Sequence, residues 1–317
     1  MIKVLITGIT GFAGSYLSDY LLKQNKFEVS GTYLNDFNLP NLDNKDSLKL
    51  HKLNLMDADS TRRLIEDEKP DYLFHLAALP SAKKSYSNPG ETFINNVLSE
   101  INLLEAIREK SLTETKILIV SSAEVYGLVT LADLPINENV PLRPTNPYAV
   151  SKIAQDYLGL QYFLSHKLKI VRVRPFNHVG PKQSPHFVVS AFAKRIAQIE
   201  KGEEYVLQAG NLESKRDFTD VRDMVKAYLL ALEKGESGDV YNLGSGKSHK
   251  ISEILDIMRG MSRVEVKVEQ DPNLIRPSDD PELLCDSSKF ENLTGWRPEI
   301  PIEKTLKDTL EYFRGIV

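Results

Sequence analysis

Short apolar runs alternate with longer amphipathic stretches through the first half of the chain. The runs have the length and the Val, Ile and Leu content of buried strands: KVLIT, FEVSGTY, DYLFHLA, KILIVSS and LKIVRVRPF. The stretches between them have the period of helices that bury one face, at residues 13–23, 59–66, 92–109 and 148–165. Strand and helix in alternation, with few direct hairpins, predict an α/β fold in which a doubly wound parallel sheet carries helices on both faces.

The pattern changes after about Asn177. Three proline-rich segments, GPKQSP, IRPSDDP and GWRPEIP, separate shorter helices and strands in the remainder of the chain. We therefore expect one lobe over residues 1–176 and a smaller one formed mainly by residues 177–317, with the chain free to cross back between them. Because no Gly/Ser-rich linker separates the two, they are expected to pack together around a cleft.

Composition narrows the class of protein. The chain has 317 residues, 41% of them hydrophobic and 26% charged, as in soluble globular proteins. The formal net charge is -4, and basic residues are mixed with acidic ones, so no basic stripe for nucleic acid or an anionic membrane is present. The lone Cys285 excludes an intrachain disulfide and fits a reducing compartment. With an N-terminus that runs directly into a strand, these features predict a cytoplasmic protein without membrane or nucleic-acid partners.

A glycine-rich turn follows the first predicted strand. The string TGITGFAG places Gly8, Gly11 and Gly14 where that strand gives way to a helix. Such a triplet by itself also suits a plain tight turn, but its position favours a site where the backbone approaches a pyrophosphate at a helix N-terminus. The sequence therefore predicts a dinucleotide-binding turn.

Two further motifs bear polar groups that chemistry can use. In NPYAVSK, Tyr148 and Lys152 are four residues apart on one face of a helix whose start is marked by Asn-Pro. In VSSAEVYG, Ser122 and Glu124 directly follow a buried strand, where unpaired polar groups cost free energy. We expect these four side chains to meet near the mouth of the sheet.

In this order the motifs resemble those of extended short-chain dehydrogenase/reductases. Three later strings, RPFNHVGPKQSPHFV, GNLESKRDFTDVRD and RPSDDPELLCDSSKFENLTGWRPEIP, are most similar to GDP-4-keto-6-deoxy-D-mannose reductases, which form GDP-D-rhamnose, and less so to GDP-mannose 4,6-dehydratases. The resemblance runs over residues 3–314. It implies a Rossmann-type sheet with a smaller C-terminal α/β substrate lobe, a nicotinamide cofactor and a GDP-sugar substrate.

The same resemblance assigns cofactor contacts. Leu34 and Asn35 stand where an acidic residue would bind the 2'-hydroxyl of NAD or an arginine the 2'-phosphate of NADP, and they supply neither, so the choice between NADP(H) and NAD(H) stays open. Asn54 stands where the family commonly has Asp. The implied cofactor-binding residues are Gly8, Gly11, Phe12, Ala13, Gly14, Leu34, Asn35, Asn54, Leu55, Leu76, Ala77, Ala78, Tyr148, Lys152 and Phe176.

The catalytic roles also follow from the resemblance. Ser122 and Tyr148 are expected to hydrogen-bond one sugar oxygen, which becomes negative as hydride reaches its carbon. Tyr148 then passes its proton, while Lys152 favours the phenolate and holds the nicotinamide ribose. Dehydratases use a glutamate at the place of Glu124 to remove a proton from C5, usually beside an Asp or Ser where this chain has Ala123. A catalytic and a structural role for Glu124 both remain open.

The substrate contacts lie mainly in the second lobe. By resemblance, Arg216 and Arg276 clamp the diphosphate, Lys194 contacts guanine and Asp279 bonds a ribose hydroxyl. The full implied set is Ser81, Asn177, Val188, Lys194, Asn211, Arg216, Arg276 and Asp279. His178 and His186 lack a further ligand cluster, so we expect no metal site.

Four functions remain in view. A reductase of a GDP-4-keto-6-deoxyhexose is favoured, followed by a GDP-mannose 4,6-dehydratase and by a nucleotide-sugar 4-epimerase with tightly held NAD. A dinucleotide-sensing binding protein is the alternative without chemistry, although such proteins typically lose the Tyr/Lys pair.

A dimer is also expected. The helices at 92–109 and 148–165 carry apolar residues on more than one face, and the family dimerises through these helices. We therefore expect a homodimer or a dimer of dimers. The residues concerned are Ile94, Val97, Ile101 and Leu104 on the first helix and Ile153, Tyr157, Leu160 and Phe163 on the second.

Overall fold

The computed structural model describes residues 1–274 and 282–317. Strands and helices alternate through the first half, as the apolar runs predict. The elements are β1 (Ile2–Thr7), α1 (Phe12–Leu22), β2 (Phe27–Tyr33), β3 (Lys49–Lys52), α2 (Ala58–Glu68), β4 (Tyr72–His75), α3 (Ala82–Ser87), α4 (Pro89–Glu109), β5 (Lys116–Val120), α5 (Pro147–His166) and β6 (Lys169–Pro175).

Shorter elements make up the second half. They are β7 (Asn177–Val179), α6 (Val188–Glu200), β8 (Val206–Ala209), β9 (Lys215–Asp220), α7 (Val221–Lys234), β10 (Val240–Leu243), β11 (Ser248–Lys250), α8 (Ile251–Gly260), β12 (Lys267–Gln270), β13 (Glu282–Leu283), α9 (Ser288–Thr294) and α10 (Ile302–Ile316).

Seven parallel strands form the main sheet, in the order β10-β6-β5-β4-β1-β2-β3. The chain reverses its direction of winding between β1 and β4, which is the switch point where a doubly wound sheet opens a crevice at its carboxyl edge. The predicted α/β fold is therefore confirmed. β3 has the sequence KLHK, and the apolar pattern missed it because no run of Val, Ile or Leu marks this strand at the edge of the sheet.

The second half of the chain contributes to the main sheet and to a second core. β10 adds the seventh strand to the main sheet, and α7 buries Met224, Tyr228 and Leu232 against it. Trp296 packs in the same core, 5.7 Å from the ring of Phe290. A separate core unites α6, α8 and α10 with β8 and β9. The chain thus returns from the second core to the main sheet twice, first at α7 and β10 and then at α9.

A buried carboxylate holds α5 against the sheet. Asp156 accepts from Arg172 at 2.5 Å and from Nε of Arg174 at 2.7 Å, and all three side chains are buried. Arg174 also donates to the hydroxyl of Tyr126 at 3.1 Å, and that hydroxyl donates to Asn242 at 2.7 Å. Burial opposes the charge of Arg174, but Asp156 outweighs it, so the pKa of the guanidinium is raised. These bonds join α5, β6, β10 and the turn after β5.

Substitution of Asp156 tests how much its ion pairs contribute to the stability of the fold. Asp156→Ala leaves two arginines buried without their counter-ion, so we expect the free energy of unfolding to fall by about 3–5 kcal/mol in a urea titration. Asp59→Ala is the control, because it breaks only an exposed ion pair with Arg62 and should be nearly neutral. Equal effects of the two substitutions would contradict the role assigned to Asp156.

Candidate active site

The glycine turn brings two strand ends unusually close. Gly8 has a φ of +68°, and a Cβ there would lie 2.9 Å from the Cα of Ala77, at the end of β4. A Cβ on Gly14 would lie 2.4 Å from the carbonyl oxygen of Gly8. Only glycine fits at these two positions, because any side chain would collide with backbone atoms. The turn therefore forms a backbone cradle at the carboxyl edge of the sheet.

The cradle suits an anionic ligand. α1 begins after Gly11, and no side chain from residues 1–274 or 282–317 caps its first N–H groups. Its first turn, which contains Phe12 and Ala13, carries no acidic residue. Open N–H groups and the positive end of the helix dipole favour a phosphate group at this place. These features fit the pyrophosphate of a dinucleotide.

The neighbouring strand ends continue the cradle. The hydroxyl of Thr7 accepts from the N–H groups of Leu76 and Ala77, both at 3.2 Å, which fixes the segment that also contains Ala78. Leu55 is buried beside it, and its carbonyl accepts from Asn102 at 2.9 Å. The implied adenine side of the site thus has an ordered backbone.

Three expected cofactor positions are open to solvent. Leu34 is 59% exposed, and Asn35 beside it is also exposed. Asn54 is exposed as well, and its side chain accepts from the N–H of Met56 at 3.0 Å. Phe176, in contrast, is buried at the end of β6. At the Leu34 position the structure leaves room for either cofactor.

The serine and the tyrosine meet as the motifs predict. Ser122 follows β5, and its side chain is near enough to the hydroxyl of Tyr148, at the start of α5, to lower the pKa of the phenol. The Ser122 oxygen also accepts from the N–H of Glu124 at 3.2 Å. Burial raises the pKa of Tyr148, the bond with Ser122 lowers it, and the charge of Glu124 raises it slightly. The phenol therefore holds its proton at neutral pH.

The lysine lies deeper in the same helix. Lys152 is 5% exposed and its ammonium donates to Oε1 of Gln155 at 2.7 Å. Burial lowers the pKa of Lys152 to about 8. The lowering of the Tyr148 pKa by Lys152 expected from the sequence is not seen in the described residues, where the ammonium is directed to Gln155.

Asn146 was missed as a site residue, although its helix-start signal is visible in the sequence. Its side-chain oxygen accepts from the N–H of Ala149 at 2.8 Å and caps α5, while its amide donates to Glu124 at 2.9 Å. One side chain therefore fixes both the start of the helix that bears Tyr148 and the position of Glu124. This contact gives Glu124 a structural role, whatever else it does.

A second anchor joins α4 to α5. Asn96 accepts from the N–H of Leu79 at 2.7 Å and donates to Ser151 at 2.9 Å. Ser85 on α3 accepts from the N–H of Tyr148 at 3.1 Å. Three separate elements thus hold the first turn of α5 in place.

The expected substrate residues are spread over several elements. Ser81 caps α3 by accepting from the N–H of Lys84 at 3.1 Å. Asn177 begins β7, which pairs with β9, and Asn211 accepts from the N–H of Glu213 at 2.9 Å. Arg216 is buried on β9 and donates to the carbonyl of Lys215 at 2.8 Å.

The helix α6 supplies two more of these residues. Val188 is its first residue and Lys194 lies half-buried along it. Phe187 precedes α6, and within the described part of the chain no side chain caps the first N–H groups of this helix. Arg276 and Asp279, the remaining two expected contacts, lie outside the described residues.

Neither a metal site nor a nucleophilic cysteine is supported by the described residues. His178 stacks on Phe12 with ring centroids 5.8 Å apart, and no cluster of three or more His, Cys, Asp or Glu arranged for a metal exists among residues 1–274 and 282–317. Cys285 is buried, and burial raises the pKa of its thiol well above the ordinary value, which leaves it a poor nucleophile. None of the helices described here is long and apolar enough to cross a membrane.

Comparisons with known proteins agree with this geometry. The profile of a family described as GDP-mannose 4,6 dehydratase matches residues 5–309. GDP-6-deoxy-D-mannose reductase of Pseudomonas aeruginosa is 34% identical over 309 residues, which span 97% of this chain and 96% of that protein.

Two solved structures are similar over the whole of both chains. The structure of RMD from Pseudomonas aeruginosa complexed with NADPH has a TM-score of 0.87 and 32% identity. The UDP-glucose 4-epimerase of Thermus thermophilus in complex with NAD has a TM-score of 0.89 and 31% identity.

The exposed end of β2 yields a test of cofactor choice. Leu34→Arg should raise the ratio of NADPH to NADH affinity about tenfold or more, since a hydrogen bond to a charged group contributes about 1.5–3 kcal/mol. Calorimetric titration of both reduced cofactors measures it. Val264→Arg adds the same charge at an exposed position away from β2 and should leave the ratio unchanged. An unchanged ratio in Leu34→Arg would mean that the 2'-phosphate binds elsewhere.

Proposed function

The chain belongs to the GDP-mannose 4,6-dehydratase family of extended short-chain dehydrogenase/reductases, and on that premise we propose that it reduces the C4 keto group of a GDP-4-keto-6-deoxyhexose. The reaction converts GDP-4-dehydro-6-deoxy-D-mannose to GDP-D-rhamnose with NADPH or NADH. The observation that carries the proposal is the proximity of the Ser122 side chain to the buried Tyr148 phenol, with Lys152 buried one turn further along the same helix.

The hydroxyl pair suits a carbonyl that receives hydride. Reduced nicotinamide supplies that hydride, and negative charge then develops on the C4 oxygen. Because the oxygen of Ser122 accepts from the N–H of Glu124, its hydroxyl can act as a donor, towards Tyr148 in this structure and towards the C4 oxygen in the proposed reaction. Donors that already point to the developing charge stabilise it at little reorganisation cost.

Burial of Tyr148 favours the acid that reduction needs. Because burial raises its pKa, the phenol is protonated at neutral pH and can give its proton to the C4 oxygen. Lys152, with a pKa of about 8, carries its proton at pH 7, and we assign its ammonium to the nicotinamide ribose hydroxyls. Tyr148 therefore serves as the acid, and Lys152 is a nearby cation.

The dehydratase alternative fits less well. Dehydration needs an acid for the leaving C6 hydroxyl as well as a base at C5, and the buried Ala123 can supply no proton. Glu124 is the candidate base, and it already accepts from Asn146. The 4-epimerase alternative is supported by the similarity to the Thermus thermophilus structure, and the sensing protein by nothing beyond the fold.

We assign the dinucleotide to residues 1–176 and the GDP moiety mainly to residues 177–317. Arg216 is buried on β9, as a residue that meets a diphosphate inside a cleft would be. Its proposed companions in this lobe are Asn177, Val188, Lys194 and Asn211. The single, buried Cys285 fits a cytoplasmic location.

Two incubations test the reaction. Purified protein with the 4-keto-6-deoxy compound should consume NADPH or NADH stoichiometrically, whereas GDP-mannose with catalytic cofactor should stay largely unchanged. Tyr148→Phe should lower turnover by ~10² to 10⁴, typical of a lost general acid, with dinucleotide binding intact. Tyr157→Phe, the same change at an exposed position of α5, is the control.

Each alternative has its own signature in these incubations. Rapid formation of the 4-keto product from GDP-mannose, without cofactor consumption in the other incubation, would establish the dehydratase instead. Interconversion of C4 epimers without net cofactor use would establish the epimerase. Full activity of Tyr148→Phe would contradict the catalytic role of Tyr148 and would favour the alternative of a dinucleotide-sensing binding protein.

The surface of α4 and α5 supports a homodimer. Leu104, which the sequence placed on the outer face, is fully buried in the core, because α2 covers that side of α4. The apolar side chains that do remain exposed include Phe93, Ile94 and Leu98 on α4 and Tyr157 on α5. Such a patch is typical of an interaction surface.

Light scattering tests this assembly. At micromolar concentration we expect twice the chain mass of 35.8 kDa, or a multiple of that dimer. Ile94→Arg should give monomers because it places a charge within the patch, while Leu131→Arg, on an exposed turn elsewhere, should not. A monomeric wild-type protein would contradict the dimer.

A further inference from the structure

A buried carboxyl group lies behind the catalytic lysine. Glu100 is on α4, one turn after Asn96, and its side chain is 0% exposed. Neither of its oxygens makes a hydrogen bond of ordinary length and angle among residues 1–274 and 282–317, and the side chain of Gln155 is near enough to oppose the rise of its pKa. An ionised carboxylate without partners is costly in such a place, so the group favours its protonated form. Nothing in the reaction proposed above uses this carboxyl.

A chain of hydrogen bonds connects the same region to the sheet. Gln155 accepts from the ammonium of Lys152, and its amide nitrogen lies 3.2 Å from Nε2 of His75. His75 Nδ1 lies 2.9 Å from the hydroxyl of Thr7. Because the Gln155 oxygen accepts from Lys152, its amide nitrogen is the atom that faces His75. Gln155 thus has one defined orientation, and so does the ammonium it binds.

Glu100 and Lys152 influence each other's protonation. Burial raises the pKa of Glu100 and the charge of Lys152 opposes the rise. Burial lowers the pKa of Lys152, and the charges of Glu100 and Asp156 oppose that fall.

The other ionisable groups around Glu100 are accounted for. Asp156 also faces it from α5, but that carboxylate is already bound by Arg172 and Arg174 of β6. His75 of β4 stays neutral, because burial lowers its pKa to about 3. Tyr162 of α5 keeps its proton, because burial and Glu105 raise its pKa. Glu100 and Lys152 are therefore the pair whose charge states depend on each other.

We propose that Glu100 is a positioning residue that preserves the positive charge of Lys152 at alkaline pH, with Gln155 holding the ammonium in line. This inference rests on the proposed function, in which Lys152 acts as a cation. When the pH rises and Glu100 loses its proton first, the new carboxylate faces the ammonium in a medium of low dielectric constant. Their attraction then retains the second proton on Lys152.

The pH dependence of activity tests the proposal. Glu100→Gln keeps the shape but cannot ionise, so the alkaline limb of the kcat/KM profile should move down by about one pH unit. Glu109→Gln, on the same helix but in a surface pair with Arg62, is the control and should keep the wild-type limb. Glu100→Met, an apolar residue of similar volume, should behave as Glu100→Gln does if the latter folds poorly. If the alkaline limb of the kcat/KM profile stays at the wild-type pH in both Glu100 variants, the inference is overturned.

Unfolding without substrate separates this inference from the reaction itself. A carboxyl whose folded pKa is raised contributes stability that is complete below its unfolded pKa of about 4 and is lost as the pH rises. Urea titrations should therefore show Glu100→Gln gaining stability over the wild type as the pH rises above about 4. If this gain is seen but the protein does not reduce the 4-keto-6-deoxy compound, the proposed reaction is rejected, while the interaction of Glu100 with Lys152 stands. A stability difference independent of pH would reject the role of Glu100, whatever the activity.

Discussion

The pairing of the Asp156 carboxylate with Arg172 and Arg174 is the interaction on which the arrangement of the site depends. Two arginines in alternate positions of a buried strand face the same side of the sheet and would be costly without a counter-charge. Asp156 supplies it from α5, and Arg174 extends the contact to Tyr126 in the turn after β5. The helix that bears Tyr148 is therefore bound to the strand and the turn that position Ser122. A hydroxyl pair with defined geometry is the result.

Desolvation gives this pair its chemistry. The same burial that raises the pKa of the Tyr148 phenol lowers that of the Lys152 ammonium, so the phenol becomes the weaker acid and the ammonium the stronger one. Glu100 belongs to the same balance, because burial raises its pKa while the charge of Lys152 opposes the rise. The exclusion of water thus sets the acidity of three ordinary side chains: the phenol of Tyr148, the ammonium of Lys152 and the carboxyl of Glu100.

Polar residues at the strand ends serve both folding and function. Thr7 binds the N–H groups after β4, which also brings Ala77 against Gly8 in the cradle. Asn146 caps α5 and binds Glu124, so the glutamate that distinguishes a dehydratase is held by a helix cap. With Ala123 beside it, the site has one polar group fewer than dehydration requires, and reduction remains the chemistry that all of its groups can perform.

The sequence by itself determined the fold class, the glycine turn and the identity of Ser122, Tyr148 and Lys152, because each depends on local periodicity or on short spacings. It did not reveal β3, an edge strand without an apolar run, or that Leu104 is covered by α2. Only the tertiary structure brought Glu100 to Lys152, since α4 and α5 lie far apart in the chain and a polar residue at a helical position is, by pattern alone, assigned to the surface. Packing decides which polar side chains lose their water, and that loss sets the pKa values of Tyr148, Lys152 and Glu100.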